Sequence, residues 1–151
     1  MSASSHFKEL LGRLNEHQAR YLIVGAYAVM KYTEPRYTKD LDIWVDATPD
    51  NARRVFKALA EFGAPMDSVT VADFANPELV FQIGIEPHRI DVMMQIKGLE
   101  FSQAWSHRVE TNFEDVAIAL LSKKDLLISK TAAGRPQDLI DIDRLRLSDE
   151  I

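Results

Sequence analysis

Between Asp40 and Asp46 the chain alternates without a break: Leu41, Ile43 and Val45 fall on one side, Asp40, Asp42, Trp44 and Asp46 on the other. Successive side chains of a β-strand point to opposite faces, so this stretch is a half-buried strand with one apolar face and one acidic face. Asp40 and Asp42 then leave the same sheet face about 6.5 Å apart along the backbone. The fully apolar opposite face fixes the direction in which the pair points.

Other elements follow from pattern. Phe7, Leu10, Leu11 and Leu14 recur at i, i+3, i+4 and i+7, which predicts an amphipathic helix over 5–18. Tyr21 to Val24 is a short apolar run ending at Gly25, hence a buried strand. Ala26 to Tyr32 returns to helix-compatible residues, so Gly25-Ala26 marks a strand-to-helix turn. Thr48 as N-cap, Pro49 at the first helical position, the stripe Ala52, Val55, Phe56 and Leu59, and the stop at Gly63 predict a helix over 49–62. Beyond it the pattern predicts a short strand over 68–71 and a hairpin of 79–85 with 88–95 through Glu86-Pro87. A helix over 101–108 and a strand over 116–121 come next, then a helix opened by Ser122 and Asp125 and a last helix from Pro136 to about Leu147. No repeat, low-complexity tract or Gly/Ser linker interrupts the series, so 1–151 reads as a single domain.

Composition narrows the chemistry. The absence of cysteine excludes disulfides, thiolate zinc sites, iron-sulfur clusters and a cysteine nucleophile. A net charge of -5 makes broad electrostatic capture of nucleic acid an unsuitable main design. Residues 41 to 100 carry 5 basic and 10 acidic groups, so the negative charge concentrates where a cation site or a merely acidic face would put it. The longest apolar run, Tyr21 to Met30, is too short to span a bilayer, and Met1-Ser-Ala-Ser-Ser has no signal-peptide pattern. A cytoplasmic protein without a membrane segment is expected.

Mg²⁺ prefers one or two carboxylates plus substrate phosphates, and two-metal sites drive in-line displacement at phosphorus. Asp40 and Asp42 suit such a site, although Asp-x-Asp pairs also sit on solvated strand edges. Asp91 lies opposite the apolar face of Ile90, Val92 and Met94 and completes a three-carboxylate cluster if its strand neighbours the first. The alternative is a same-face ion pair of Arg89 with Asp91, worth little. Gly25-Ala26 either presents backbone N–H groups to phosphate or simply permits the turn; neither a Rossmann fingerprint nor a P-loop is present. Lys123, Leu126, Leu127 and Lys130 share one helix face, and a lysine prolonging an apolar stripe snorkels to solvent or reaches a buried anion. His6, His17, His88 and His107 show no zinc spacing and read as surface residues.

Taken in order, the strand ending at Gly25-Ala26, the helix after it and Asp40-Leu41-Asp42-Ile43-Trp44-Val45 resemble the polymerase-beta-type nucleotidyltransferase superfamily. Phe81 to Met93 resembles its third-carboxylate strand, and Leu120 to Asp141 its closing Lys, Arg and Asp segment. Within the superfamily the chain is most similar to minimal bacterial members related to abortive-infection and toxin-antitoxin enzymes, over about 21–147.

The resemblance implies an α+β nucleotidyltransferase fold, with a small mixed sheet carrying Asp40, Asp42 and Asp91 on one face and helices on the other. It implies Mg²⁺ or Mn²⁺ on those three residues, which are also the catalytic set, and an NTP as substrate. Gly25 and Ala26 match the triphosphate-holding turn, Arg36 and Thr38 the flanking loop, and Lys130 the helix lysine near the nucleotide. Arg135 and Asp138 match the segment after it, where an acid in a first helical turn also suits the dipole alone. The turn commonly reads Gly-Gly or Gly-Ser, so the alanine removes a hydroxyl contact and leaves the backbone donors. The expected reaction moves a nucleoside monophosphate to an acceptor hydroxyl on RNA, protein or a small molecule. Larger drug-modifying members hold their acceptor with an extra domain; here a partner protein, a homodimer or an exposed cleft takes that part. A catalytically silent antitoxin or nucleotide sensor is the alternative from the same fold, and a structural domain with solvated aspartates the alternative outside it.

Overall fold

Leu41, Ile43 and Val45 are all fully removed from solvent, and the sheet is built outward from the strand that carries them. The structure, a computed structural model, describes residues 3–35, 40–84 and 88–148. The elements are α1 (Ala3–Glu16), β1 (Tyr21–Val24), α2 (Gly25–Tyr32), β2 (Asp40–Val45), α3 (Pro49–Phe62), β3 (Val80–Ile83), β4 (Arg89–Met93), α4 (Phe101–Ser106), β5 (Val109–Phe113), β6 (Val116–Leu120), α5 (Lys123–Ala133) and α6 (Pro136–Leu147). The strands form one six-stranded mixed sheet in the order β3-β4-β2-β1-β6-β5. β2 pairs antiparallel with β1 and parallel with β4.

The apolar face of the sheet packs on α1, α3 and a 3-10 turn over Val71–Ala75. Phe74 from that turn is buried between Phe56 of α3 and Phe81 of β3, with ring centroids 6.2 and 5.4 Å away. Helices also lie on the acidic face. There Phe101 of α4 meets Trp44 edge to face at 5.1 Å, and α5 and α6 wall one side of a cleft. The expectation of helices on a single face is therefore corrected to helices on both.

Local signals account for most boundaries. The Thr48 hydroxyl accepts the Asn51 N–H at the start of α3, and Gly63 ends that helix at φ 99° with its N–H on Leu59 and Ala60 carbonyls. Ser122 caps α5 in the same way through the Asp125 N–H at 3.1 Å. Two expectations need correction. Residues 68–71 are not a strand, because Asp73 accepts the Thr70 N–H at 2.8 Å and winds the chain into the 3-10 turn that inserts Phe74. The strand Val109–Phe113 was not anticipated. It pairs antiparallel with β6 at the sheet edge, and its exposed Glu110 and Asn112 blunt the hydrophobic signal.

Asn51 ties this scaffold together. Nearly buried, its side chain accepts the Arg20 N–H at 2.7 Å and donates to the carbonyls of Arg20 at 3.0 Å and Asp46 at 2.9 Å. It thus joins the start of β1, the end of β2 and α3. Asn51→Ala takes the side-chain partner from the Arg20 N–H and the Asp46 carbonyl, while the Arg20 carbonyl keeps the Asp46 N–H at 3.2 Å, and a loss of about 2 to 3 kcal/mol is expected in urea denaturation.

Candidate active site

Parallel pairing of β2 with β4 sets Asp42 opposite Asp91 and Asp40 opposite Arg89. Because paired residues share a face, the four side chains form a two-by-two lattice of three acids and one base. The adjacency of Asp91, which spacing alone left open, is thus a feature of the fold. Arg89 donates from Nε to Asp91 Oδ1 at 2.9 Å and from Nη2 to Asp91 Oδ2 at 3.3 Å, and its Nη2 reaches Asp40 Oδ2 at 3.4 Å.

Asp42 is the most perturbed member. Burial, then the charges of Asp91 and Asp40, push its carboxyl up from 3.8 to about 6, against the opposing pull of Arg89 and Lys130. β1 also sets it beside Val24, the last residue before the turn. Gly25 adopts φ +67°, and a Cβ there would lie 2.4 Å from Asp42 Oδ2. Glycine is thus required twice over, for the backbone conformation and for the approach of the carboxylate. Val24 supplies no side-chain cap to α2, so the first N–H groups of that helix, around Gly25 and Ala26, lack that partner.

These residues open on a cleft of about 500 Å³ whose lining includes Gly25, Asp42, Asp91, Lys97, Lys130 and Arg135. Lys130 does reach buried anions, but they belong to α6. Its Nζ lies 3.3 Å from Asp138 Oδ1 and 3.0 Å from Asp141 Oδ2, and both acids are buried. Arg135, with 75% of its side chain exposed, grips Asp138 through Nε at 2.7 Å and Nη2 at 3.2 Å. Burial pushes the Asp138 carboxyl up, but the bonds from Arg135 and the charge of Lys130 outweigh it and leave it below the usual range. The hydrogen bond to Asp138 raises the Arg135 guanidinium, with a smaller contribution from Asp42 across the cleft. Asp141 was missed from sequence; its signal is its i+3 spacing from Asp138 in a helix whose Ile142 and Leu145 are buried.

Arg36 and Thr38 lie outside the described residues. His107, half exposed, places Nδ1 3.2 Å from Asp125 Oδ2, away from the lattice. Among the described residues no group of three or more acidic or histidine side chains is gathered closely enough to hold a metal ion as it stands. The donor chemistry nevertheless suits a hard divalent cation: carboxylate oxygens from adjacent strands, with Asp42 buried and facing the charges of Asp91 and Asp40.

The family model described as "nucleotidyltransferase of unknown function" (DUF6036) matches residues 2–151. The chain belongs to this nucleotidyltransferase family. A solved structure, described as the lincosamide antibiotic adenylyltransferase LnuA with lincomycin bound, is similar at a TM-score of 0.62 and 19% identity. The match covers 94% of this chain and 95% of that one. The six-stranded mixed sheet and its helices thus share the fold of that adenylyltransferase, a nucleotidyltransferase fold. No curated protein matches the chain. Among the described residues no helix is long and apolar enough to cross a membrane.

Two outcomes test the geometry of this candidate site. Gly25→Ala is expected to cost about 1 to 3 kcal/mol; an Asp42→Ala background removes the part due to the carboxylate and leaves the part due to the positive φ, so a thermal-melt double-mutant cycle reads the steric coupling. Asp42→Asn is expected to stabilise the protein at pH 7 to 8 by about 1 to 2 kcal/mol. Because the folded-state value of about 6 lies above the ordinary 3.8, the contribution of Asp42 to stability falls as pH rises through that window. The advantage of Asp42→Asn therefore shrinks below pH 6 and vanishes near pH 4, which melts across pH will show.

Proposed function

We propose that the protein transfers a nucleoside monophosphate from an NTP to an acceptor hydroxyl and releases pyrophosphate. The observation that carries this reading is the register of Asp42 with Asp91 directly beside the Gly25 turn, in a chain whose family is nucleotidyltransferase. Asp40, Asp42 and Asp91 would hold Mg²⁺ or Mn²⁺, which when bound lowers the pKa of the acceptor hydroxyl and stabilises charge on the leaving phosphates.

The chain's own groups do the rest. The N–H groups opening α2 at Gly25 and Ala26 receive phosphate oxygens, aided by the helix dipole. Arg135, exposed in the cleft, neutralises the triphosphate, and Asp138 holds its guanidinium in place. Lys130 is drawn into the buried pairs with Asp138 and Asp141, so it acts on the nucleotide through the field it adds near Asp42 and through the support it gives Asp138. The acceptor oxygen attacks the α-phosphorus, the bond from that phosphorus to the bridging oxygen breaks, and the hydroxyl proton passes to a carboxylate oxygen of Asp91.

A small hydroxyl-bearing molecule is the favoured acceptor. The lincomycin-bound neighbour is an adenylyltransferase matched over 95% of its chain, so this fold at a comparable length serves a drug-sized acceptor there.

Incubation of each α-labelled NTP with Mg²⁺ or Mn²⁺, total RNA and cell lysate is expected to label one fraction with wild type and none with Asp42→Asn. Arg135→Met is expected to raise the KM for the NTP about tenfold with kcat changed less. Undiminished transfer by Asp42→Asn overturns the assignment.

A further inference from the structure

The acidic face of the β2–β4 pair carries one charged residue, Arg89, that the reaction as described does not use. The register of that pair is already secured on the other face, where Leu41, Ile43 and Val92 are fully buried. Arg89 therefore has no packing duty comparable to theirs, and its position opposite Asp40 and two residues before Asp91 calls for an electrostatic reason. Its guanidinium spends Nε and Nη2 on the two oxygens of Asp91, and Nη2 also on Asp40. Two parallel N–H···O bonds to one carboxylate are the strong, directional form of this pairing.

Those oxygens are the ones a divalent cation would need. A carboxylate has about four lone-pair sites, and a forked guanidinium covers the pair that faces it. The lattice sums to three negative charges and one positive. We propose that the Arg89 guanidinium and a divalent cation compete for the same oxygens of Asp91 and Asp40. Arg89 thereby sets the cation affinity of the site and is a positioning residue for Asp91. This inference rests on the reading that Asp40, Asp42 and Asp91 hold the cation. With a cation held there, Arg89 would keep fewer of the Asp91 oxygens, and an Asp91 oxygen engaged by neither would be the acceptor for the hydroxyl proton. Loss of the cation returns the guanidinium, which keeps three like charges from facing one another unpaired.

The test measures Mn²⁺ alone, without nucleotide, by titration calorimetry and by the loss of the free-ion paramagnetic resonance signal. Arg89→Met keeps length and removes the charge; Mn²⁺ is expected to bind it about tenfold more tightly than wild type, and Arg89→Lys to fall between the two. Arg89→Gln, which keeps a polar head, is expected to follow Arg89→Met and serves if the methionine variant fails to fold. Unchanged affinity in the folded variants overturns the proposal, because a merely structural arginine would lower the melting temperature and leave Mn²⁺ binding alone. Weaker affinity also overturns it, because Arg89 would then be helping the cation. Asp42→Asn separates the two levels. If that variant binds Mn²⁺ as wild type does, the assignment of the carboxylates fails and the competition with it; if it loses Mn²⁺ while Arg89→Met is unchanged, only the role of Arg89 fails.

Discussion

The parallel register of β2 against β4 is the constraint from which the site follows. Burial of Leu41, Ile43, Val92 and Ile90 on one face fixes that register, since a slip by one residue would turn every one of them to the other side. Once the apolar face is satisfied, the opposite face has no freedom left. Asp42 must meet Asp91, and Asp40 must meet Arg89. The hydrophobic core therefore sets which carboxylates face one another, and the Arg89 hydrogen bonds to Asp91 and Asp40 act within a register already fixed.

Holding like charges together works against folding. The Asp42 carboxyl is raised first by burial and then by the charges of Asp91 and Asp40, and the surrounding cations limit that cost in different ways. Arg89 acts by direct contact with Asp91 and Asp40. Lys130 and Arg135 act mostly on a second acidic pair, Asp138 and Asp141, which anchors α6 to α5. Breaking either buried partnership would strand a charge in a poorly solvated place, which costs far more than an exposed ion pair returns. The α5–α6 corner is for that reason a stiff wall, and Arg135 is aimed from it into the cleft.

Sequence reading recovers the parts set by local rules. The alternation in Asp40–Val45, the Thr48-Pro49 opening and Gly63 close of α3, and the Ser122 cap each involve neighbours within a few residues, so their signals lie in the string itself. The 3-10 turn at Val71–Ala75 and the edge strand Val109–Phe113 were not legible. The first depends on Phe74 finding Phe56 and Phe81, and the second on hydrogen bonds to β6 that override a polar composition. The site divides along the same line. That Asp40 and Asp42 share a face is a property of two-residue spacing; that Asp91 joins them, that Lys130 ends on Asp138 and Asp141, and that Arg89 spans two acids are properties of strand order and helix docking.

Gly25 shows how tightly these levels are joined. In sequence it is a turn residue, and its need for a positive φ would justify it on backbone grounds alone. In the fold, the space where its side chain would sit is taken by Asp42. A residue with a Cβ would push the carboxylate off the line that β2 and β4 set for it and, through Asp42, disturb the pairing of charge with Asp91. Gly25 also lines the cleft and opens α2, whose first N–H groups have no side-chain cap, so one glycine serves the acid that would hold a cation and the turn that would receive phosphate. The alanine that follows costs little on this account, because what the turn offers a phosphate is its backbone, which Ala26 supplies as well as a serine would.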